Sequence, residues 1–142
     1  MKLKSRKNKI LFVKPPDRFL EDEFVYQQLG PHYLQSFLKQ YEIPSDILVL
    51  YEQSDVRNKR ESGEINEISL DDLNMLFLGV DGNSKDTAFV SNIFQNYDIV
   101  ALSVMSPQAT DAYLISQLIN SLYPQITTVI GGSHPRYYQK QV

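Results

Sequence analysis

YDIVALSVMSPQATDAYLISQLINSLYPQITTVIGGSHP, Tyr97–Pro135, is the stretch on which the fold turns. Residues 98–103 (DIVALS) form a short apolar run rich in β-formers, and residues 126–130 (ITTVI) form another, ended by Gly131 and Gly132. Between them Ala109, Ala112, Tyr113, Ile115, Leu118, Ile119 and Leu122 recur at three- and four-residue spacing, the period of a helix with one apolar face. Pro107 stands where a first-turn proline fits and Pro124 just past the helix end. Two strands joined by a helix make a βαβ unit with parallel strands and a right-handed crossover. In an open parallel sheet, ligands bind beyond the carboxyl ends of the strands. Those ends carry Ser103-Val104-Met105-Ser106 and Gly131-Gly132-Ser133-His134, small or polar where a backbone would approach a ligand closely.

Working outward, residues 10–13 (ILFV) read as a first buried strand, stopped by Pro15-Pro16. An acidic and aromatic loop or short helix follows over 17–28. Leu29-Gly30-Pro31-His32-Tyr33 opens a helix to about Tyr41, whose core face should be Tyr33, Leu34, Phe37, Leu38 and Tyr41. Residues 46–51 (DILVLY) are a second strand, and a polar excursion occupies 52–83. Within it, residues 75–80 (MLFLGV) fit either a short edge strand or the end of a helix capped near Ser69, and Asp81-Gly82 marks a turn. Residues 84–95 read as a helix that packs Ala88, Phe89, Ile93 and Phe94. The pattern predicts an α/β fold, a flavodoxin-like (Rossmann-like) doubly wound parallel sheet. In the order 2-1-3-4-5 such a domain needs one more helix and a fifth strand, so the domain spanning 10–142 is expected to be incomplete at its C-terminus. Strand 126–130 then becomes an uncharged, proline-free edge, and the chain is expected either to self-associate through it or to be only marginally folded.

The 142 residues suffice for one domain with a core, and 42% of them are hydrophobic. The formal charge of −3 gives no reason to expect a nucleic acid or an anionic membrane as partner. Residues 1–9 hold Lys2, Lys4, Arg6, Lys7 and Lys9 and read as a basic disordered tail; the apolar run behind them, Ile10 to Val13, is too short for a signal peptide. No run approaches the roughly 20 apolar residues of a membrane span. The chain has no cysteine, which excludes disulfides, thiolate metal sites and Cys nucleophiles within it and fits a cytoplasmic protein.

Several α/β chemistries lack their residues. Lys14-Pro15-Pro16-Asp17 stands where a glycine-rich dinucleotide fingerprint or a hydroxyl-rich phosphate loop would follow the first strand, and prolines remove the backbone N–H donors such loops use. That argues against a flavin- or nucleotide-binding domain. The third strand ends in Ser103 rather than the aspartate of a phosphoacceptor domain, and no nucleophile elbow is present. Each remaining feature has a plain structural explanation. Gly131-Gly132 suits a tight turn, Ser103 a strand-end hydroxyl bonding nearby backbone, Pro15-Pro16 a strand stop, and His32 and His134 ordinary surface or satisfied histidines. Their weight comes from falling on one rim of the predicted sheet.

Four elements in order resemble the N-terminal cobalamin-binding domain of cobalamin-dependent radical S-adenosylmethionine enzymes. They are Lys14-Pro15-Pro16 after strand one, Leu29-Gly30-Pro31-His32-Tyr33-Leu34 at a helix start, Ser103-Val104-Met105-Ser106-Pro107 after the third strand and Gly131-Gly132-Ser133-His134-Pro135 after the fourth. The resemblance spans nearly the whole chain except the 52–83 excursion. It implies cobalamin (vitamin B12) on the carboxyl rim with its nucleotide tail running into the domain, and cofactor-binding roles for Pro15, Pro16, Leu29, Gly30, Ser103, Met105, Ser106, Gly131, Gly132 and His134. In that picture Gly131 and Gly132 admit the tail, Ser103 hydrogen-bonds the dimethylbenzimidazole or the tail, and Leu29, Gly30, Met105 and Ser106 line the underside of the corrin. The D-x-H-x-x-G of histidine-ligated corrinoid proteins is missing: His32 has Gly30 two residues before it and Gln35 three after. Cobalt is therefore expected to have no protein ligand, and no metal is expected to be held by side chains directly. The family's catalytic half carries a three-cysteine iron–sulfur motif, so S-adenosylmethionine and the cluster belong to a radical S-adenosylmethionine domain, in the same parent chain or a separate one. The parent reaction, methyl transfer in many of these enzymes, stays open. The alternative is a degenerate scaffold of the same fold that no longer binds cofactor.

Overall fold

A computed structural model of the chain describes residues 8–17, 29–52, 58–59, 61–64, 77–80 and 93–137. Strand β1 is Ile10–Lys14, helix α1 Leu29–Gln40, strand β2 Ser45–Glu52, strand β3 Phe77–Val80 and strand β4 Ile99–Ser103. A single 3-10 turn, Ser106–Gln108, leads into helix α2, Ala109–Leu122, and strand β5, Thr127–Gly131, ends at the short helix α3, Ser133–Tyr137. Most of the basic tail, the 18–28 segment, the cap at Ser69, the turn at Asp81-Gly82 and most of the 84–95 helix lie outside the described residues. The end of that helix is seen at Ile93 and Phe94, with Phe94 buried in the core.

The sheet order is β3-β2-β1-β4-β5. The four strands β2, β1, β4 and β5 are mutually parallel, which gives the doubly wound, flavodoxin-like arrangement. β3 adds to the outside of β2 in antiparallel sense, with Val49 opposite Val80 and Glu52 opposite Phe77. Of the two readings open for 75–80, the described residues 77–80 take the edge strand. The chain moves one way in the sheet from β1 to β2 and the opposite way from β4 to β5. With right-handed crossovers, α1 and α2 therefore cover opposite faces.

Register decides which residues share each face. Val13 lies beside Leu48 and Leu102, and Leu102 beside Ile130. This row faces α2, which adds buried Ala112, Ile115, Leu118 and Ile119 to a core completed by Leu11, Leu50, Val100, Val104 and Ile126. The other face carries Phe12 beside Ile47 and Ala101, and Ala101 beside Val129. It grades from buried at Phe12 (8% exposed) to open at Val129 (48%), because α1 lies over β2 and nothing described covers β5.

α1 departs from its expected packing. Its sheet-facing side is Pro31, Gln35 and Leu38, with Gln35 Nε2 donating to the Ser45 carbonyl at 2.9 Å. Tyr33 (81% exposed), Leu34, Phe37 and Tyr41 point away. A single helix over the outer strands touches the sheet along a narrow strip, and the aromatic stripe sits a quarter-turn to its side. At the amino rim, Lys9 joins three partners: its N–H donates to Asp98 Oδ2 at 2.8 Å, its ammonium lies 3.3 Å from Asp46 Oδ2, and it sits 4.6 Å above the Tyr97 ring.

Candidate functional site

The carboxyl ends of β1 and β4 lie side by side, and the chain leaves them in opposite directions. This is the switch point where doubly wound sheets place their ligands. α1 runs back between two parallel strands, so its N-terminus, Leu29-Gly30, rises at this same rim. Leu29 is 66% exposed and Met105, just after β4, is 44% exposed, while Ser106 is exposed beside it. Half-buried Ser103 is the register partner of Gly131, so the two sit adjacent at the ends of β4 and β5.

The two glycines differ. A Cβ added to Gly131 would meet nothing within 4 Å. Gly132 has φ +102°, and a Cβ there would lie 2.6 Å from the Val104 carbonyl oxygen and 2.8 Å from its nitrogen. Gly132 is thus required by the chain's own close approach. Val104 N–H donates to the Gly131 carbonyl at 2.8 Å, and His134 N–H donates to the Val104 carbonyl at 3.1 Å. The need for glycine at position 132 comes from the chain's own packing rather than from room for a ligand, and at Gly131 the Cβ position is open.

His134 is buried on α3 and is held at both ring nitrogens. Nε2 lies 3.2 Å from the Tyr113 hydroxyl of α2 and Nδ1 lies 3.2 Å from Ser106 Oγ. The Tyr113 ring also packs edge-on against the imidazole, with centroids 6.2 Å apart. The histidine thus ties the loops after β4 and β5 to α2. His32 is exposed on α1.

A buried polar network not foreseen in the sequence closes the β1 side of the switch point. Lys14, Asp17 and Gln108 are all buried. The Lys14 ammonium donates to Asp17 Oδ2. Gln108 Nε2 donates to Asp17 Oδ1 at 2.5 Å and to the Pro15 carbonyl at 3.1 Å, while its Oε1 accepts the Met105 N–H at 3.0 Å. Both carboxylate oxygens and the side-chain amide are satisfied, as burial of a charge pair demands. Pro15 and Pro16 are buried within this loop. Gln108 carries a signal that a closer reading of the helix would catch. It precedes Asp111, Ala112 and Ile115 on one helical face, so a polar side chain stands at a core position and needs a buried partner.

Of the expected site residues, the hydrogen bonds and glycine contacts draw Pro15, Met105, Ser106, Gly132 and His134 into one connected cluster. Ser103 and Gly131 adjoin it through the β4–β5 register. Leu29 and Gly30 stand exposed at the same rim. Among the described residues no group of three or more His, Cys, Asp or Glu side chains comes together to hold a metal, and no helix is long and apolar enough to cross a membrane. Comparison with known proteins returns no match: no family model, no curated protein and no solved structure corresponds to this chain.

Proposed function

We infer that this domain binds cobalamin at its carboxyl rim and serves as the cobalamin-binding module of a radical S-adenosylmethionine enzyme. The observation that carries the reading is the rim itself. Two apolar side chains, Leu29 and Met105, stand exposed at the carboxyl rim, and on the same rim Gly131 offers backbone with no atom within 4 Å of its Cβ position. Exposed apolar side chains at the carboxyl rim of such a sheet favour an apolar cover there, and the corrin edge and nucleotide base would supply one. That supports placing the group at this rim. Leu29, Gly30, Met105 and Ser106 would lie under the corrin, and Ser103 and Gly131 along the tail. Gly132, His134, Pro15 and Pro16 would act by shaping the loops. When bound, cobalamin supplies a cobalt centre that carries a methyl group in many such enzymes. The radical step needs an iron–sulfur cluster, which a chain without cysteine cannot ligate in the usual way, so the module is non-catalytic by itself and its parent's reaction, methyl transfer or another, lies with a partner domain.

The test is retention of hydroxocobalamin through gel filtration, read by corrin absorbance. The parent chain should retain it, and Gly131→Val, which adds bulk in open space, should lose it without losing the fold. A folded parent that retains none, or a Gly131→Val variant that retains as much as the parent, overturns the reading. The first of those results would favour a cofactor-free interaction scaffold. That second reading has its own support in the Lys14–Asp17–Gln108 network, which joins the β1 and β4 loops through the chain's own side chains.

A further inference from the structure

β5 pairs with β4 on one side, and among the described residues it has no neighbour on the other. The ladder shows which of its groups are spare. Thr127 N–H donates to the Asp98 carbonyl at 3.0 Å, and the Gly131 carbonyl accepts from Val104 N–H at 2.8 Å. Thr127, Val129 and Gly131 therefore turn their backbone groups towards β4. In a strand the next residues turn theirs the opposite way, so Thr128 and Ile130 present N–H and C=O outward.

These four outward groups have a symmetry of their own. A two-fold axis through Val129 sets Thr128 opposite Ile130 of a second, antiparallel copy, and Ile130 opposite its Thr128. Each of these is a hydrogen-bonded pair, which closes four backbone hydrogen bonds with no donor left over. Val129 then faces Val129 of the copy in the close, non-hydrogen-bonded position. That side chain is 48% exposed.

A second observation, on charge, agrees with that two-fold match in suiting a copy of this chain as the occupant. From Ala112 through Pro135 there is no Asp, Glu, Lys or Arg. That stretch is most of α2, all of β5 and the turn after it, so the strand and the helix alongside it meet a copy of themselves without like-charge repulsion. The devices that keep sheet edges apart, a lysine, a proline or an inward charge, are missing from Thr127–Gly131. Its β-branched Thr-Thr-Val-Ile run favours the extended state.

We propose that two copies of this chain pair antiparallel through β5, about Val129, to make one sheet that runs through both. The proposal is independent of cobalamin, because it uses the outward side of β5 and not the rim. Light scattering after size exclusion tests it. The parent should have about twice its 16.4 kDa chain mass at high concentration. Val129→Lys and Val129→Glu should each be monomeric, since each sets like charges face to face, and an equimolar mixture should return to the doubled mass. Thr128→Pro removes an outward N–H while leaving the β4 ladder intact, and it should be monomeric with an unchanged far-ultraviolet spectrum. A parent that is monomeric at all concentrations overturns the proposal. So do charge variants that stay dimeric, a mixture that does not reassociate, or a folded Thr128→Pro that remains a dimer.

Discussion

Gly132→Ala should unfold this domain far more readily than Gly131→Ala, although the two residues are neighbours of the same type. At Gly132 two penalties combine. Its φ of +102° lies where L-residues are strained, a cost of about 1–2 kcal/mol. The new Cβ would also sit 2.6 Å from the Val104 carbonyl oxygen and 2.8 Å from its nitrogen, and both are backbone atoms that cannot swing aside. Forcing an extra carbon into such packing costs roughly 1–3 kcal/mol. The sum is about 2–5 kcal/mol, a large part of the roughly 5–15 kcal/mol that holds a domain folded. At about 4 °C per kcal/mol for a chain of this size, the melting temperature should fall by roughly 8–20 °C. Gly131 has no such constraint. A Cβ there meets nothing within 4 Å, and replacing glycine in a strand gains about 0.5 kcal/mol by lowering the entropy of the unfolded chain. Thermal and urea denaturation followed by circular dichroism measure both. Two variants within about 0.5 kcal/mol of each other would refute the reasoning, since the β4–β5 loop approach would then not be what demands a glycine. The contrast also governs how ligand binding is read. If the chain binds cobalamin, its loss in a Gly132 variant would report a distorted loop, whereas its loss in Gly131→Val would report a contact.

Other outcomes follow from the same geometry. Asp17→Leu leaves the buried Lys14 ammonium without its partner and should cost about 3–5 kcal/mol, while Lys14→Met with Asp17→Leu should recover most of it; a urea double-mutant cycle measures this, and a double variant as unstable as the single one would count against the buried pair. Gln108→Ala takes the donor from Asp17 Oδ1 and should cost about 1.5–3 kcal/mol in the same assay. If the chain binds cobalamin, electron paramagnetic resonance of the Co(II) form should show no nitrogen splitting from a protein histidine. His134 has both ring nitrogens engaged within the chain, so a splitting that disappears in His134→Ala or His32→Ala would contradict this.

The chain's local patterns were enough to read its elements. The alternation of apolar runs with a 3.6-residue period located β1, α1, β2, β4, α2 and β5 to within a residue or two, because periodicity is a property of neighbouring residues. Short crossovers then imposed parallel pairing and the doubly wound order, because a βαβ connection has one favoured hand. The rim residues were legible for the same reason: Pro15, Ser103, Met105 and Gly131 sit at or just past strand ends, and Leu29 and Gly30 at a helix start. Tertiary structure decided whatever depends on residues distant in the chain. Residues 77–80 became an edge strand because β2 offered an unpaired side, which the ambiguous propensity of 75–80 does not reveal. α1 turned Pro31 and Leu38 to the sheet and left Tyr33 and Phe37 outside, because the sheet and not the helix sets how wide the contact is. Gly132 looked like its neighbour until Val104 was placed against it. Gln108 meets Asp17 from 91 positions away. A contact of that kind is made by the closure of the whole sheet, and no window of neighbouring residues contains both partners.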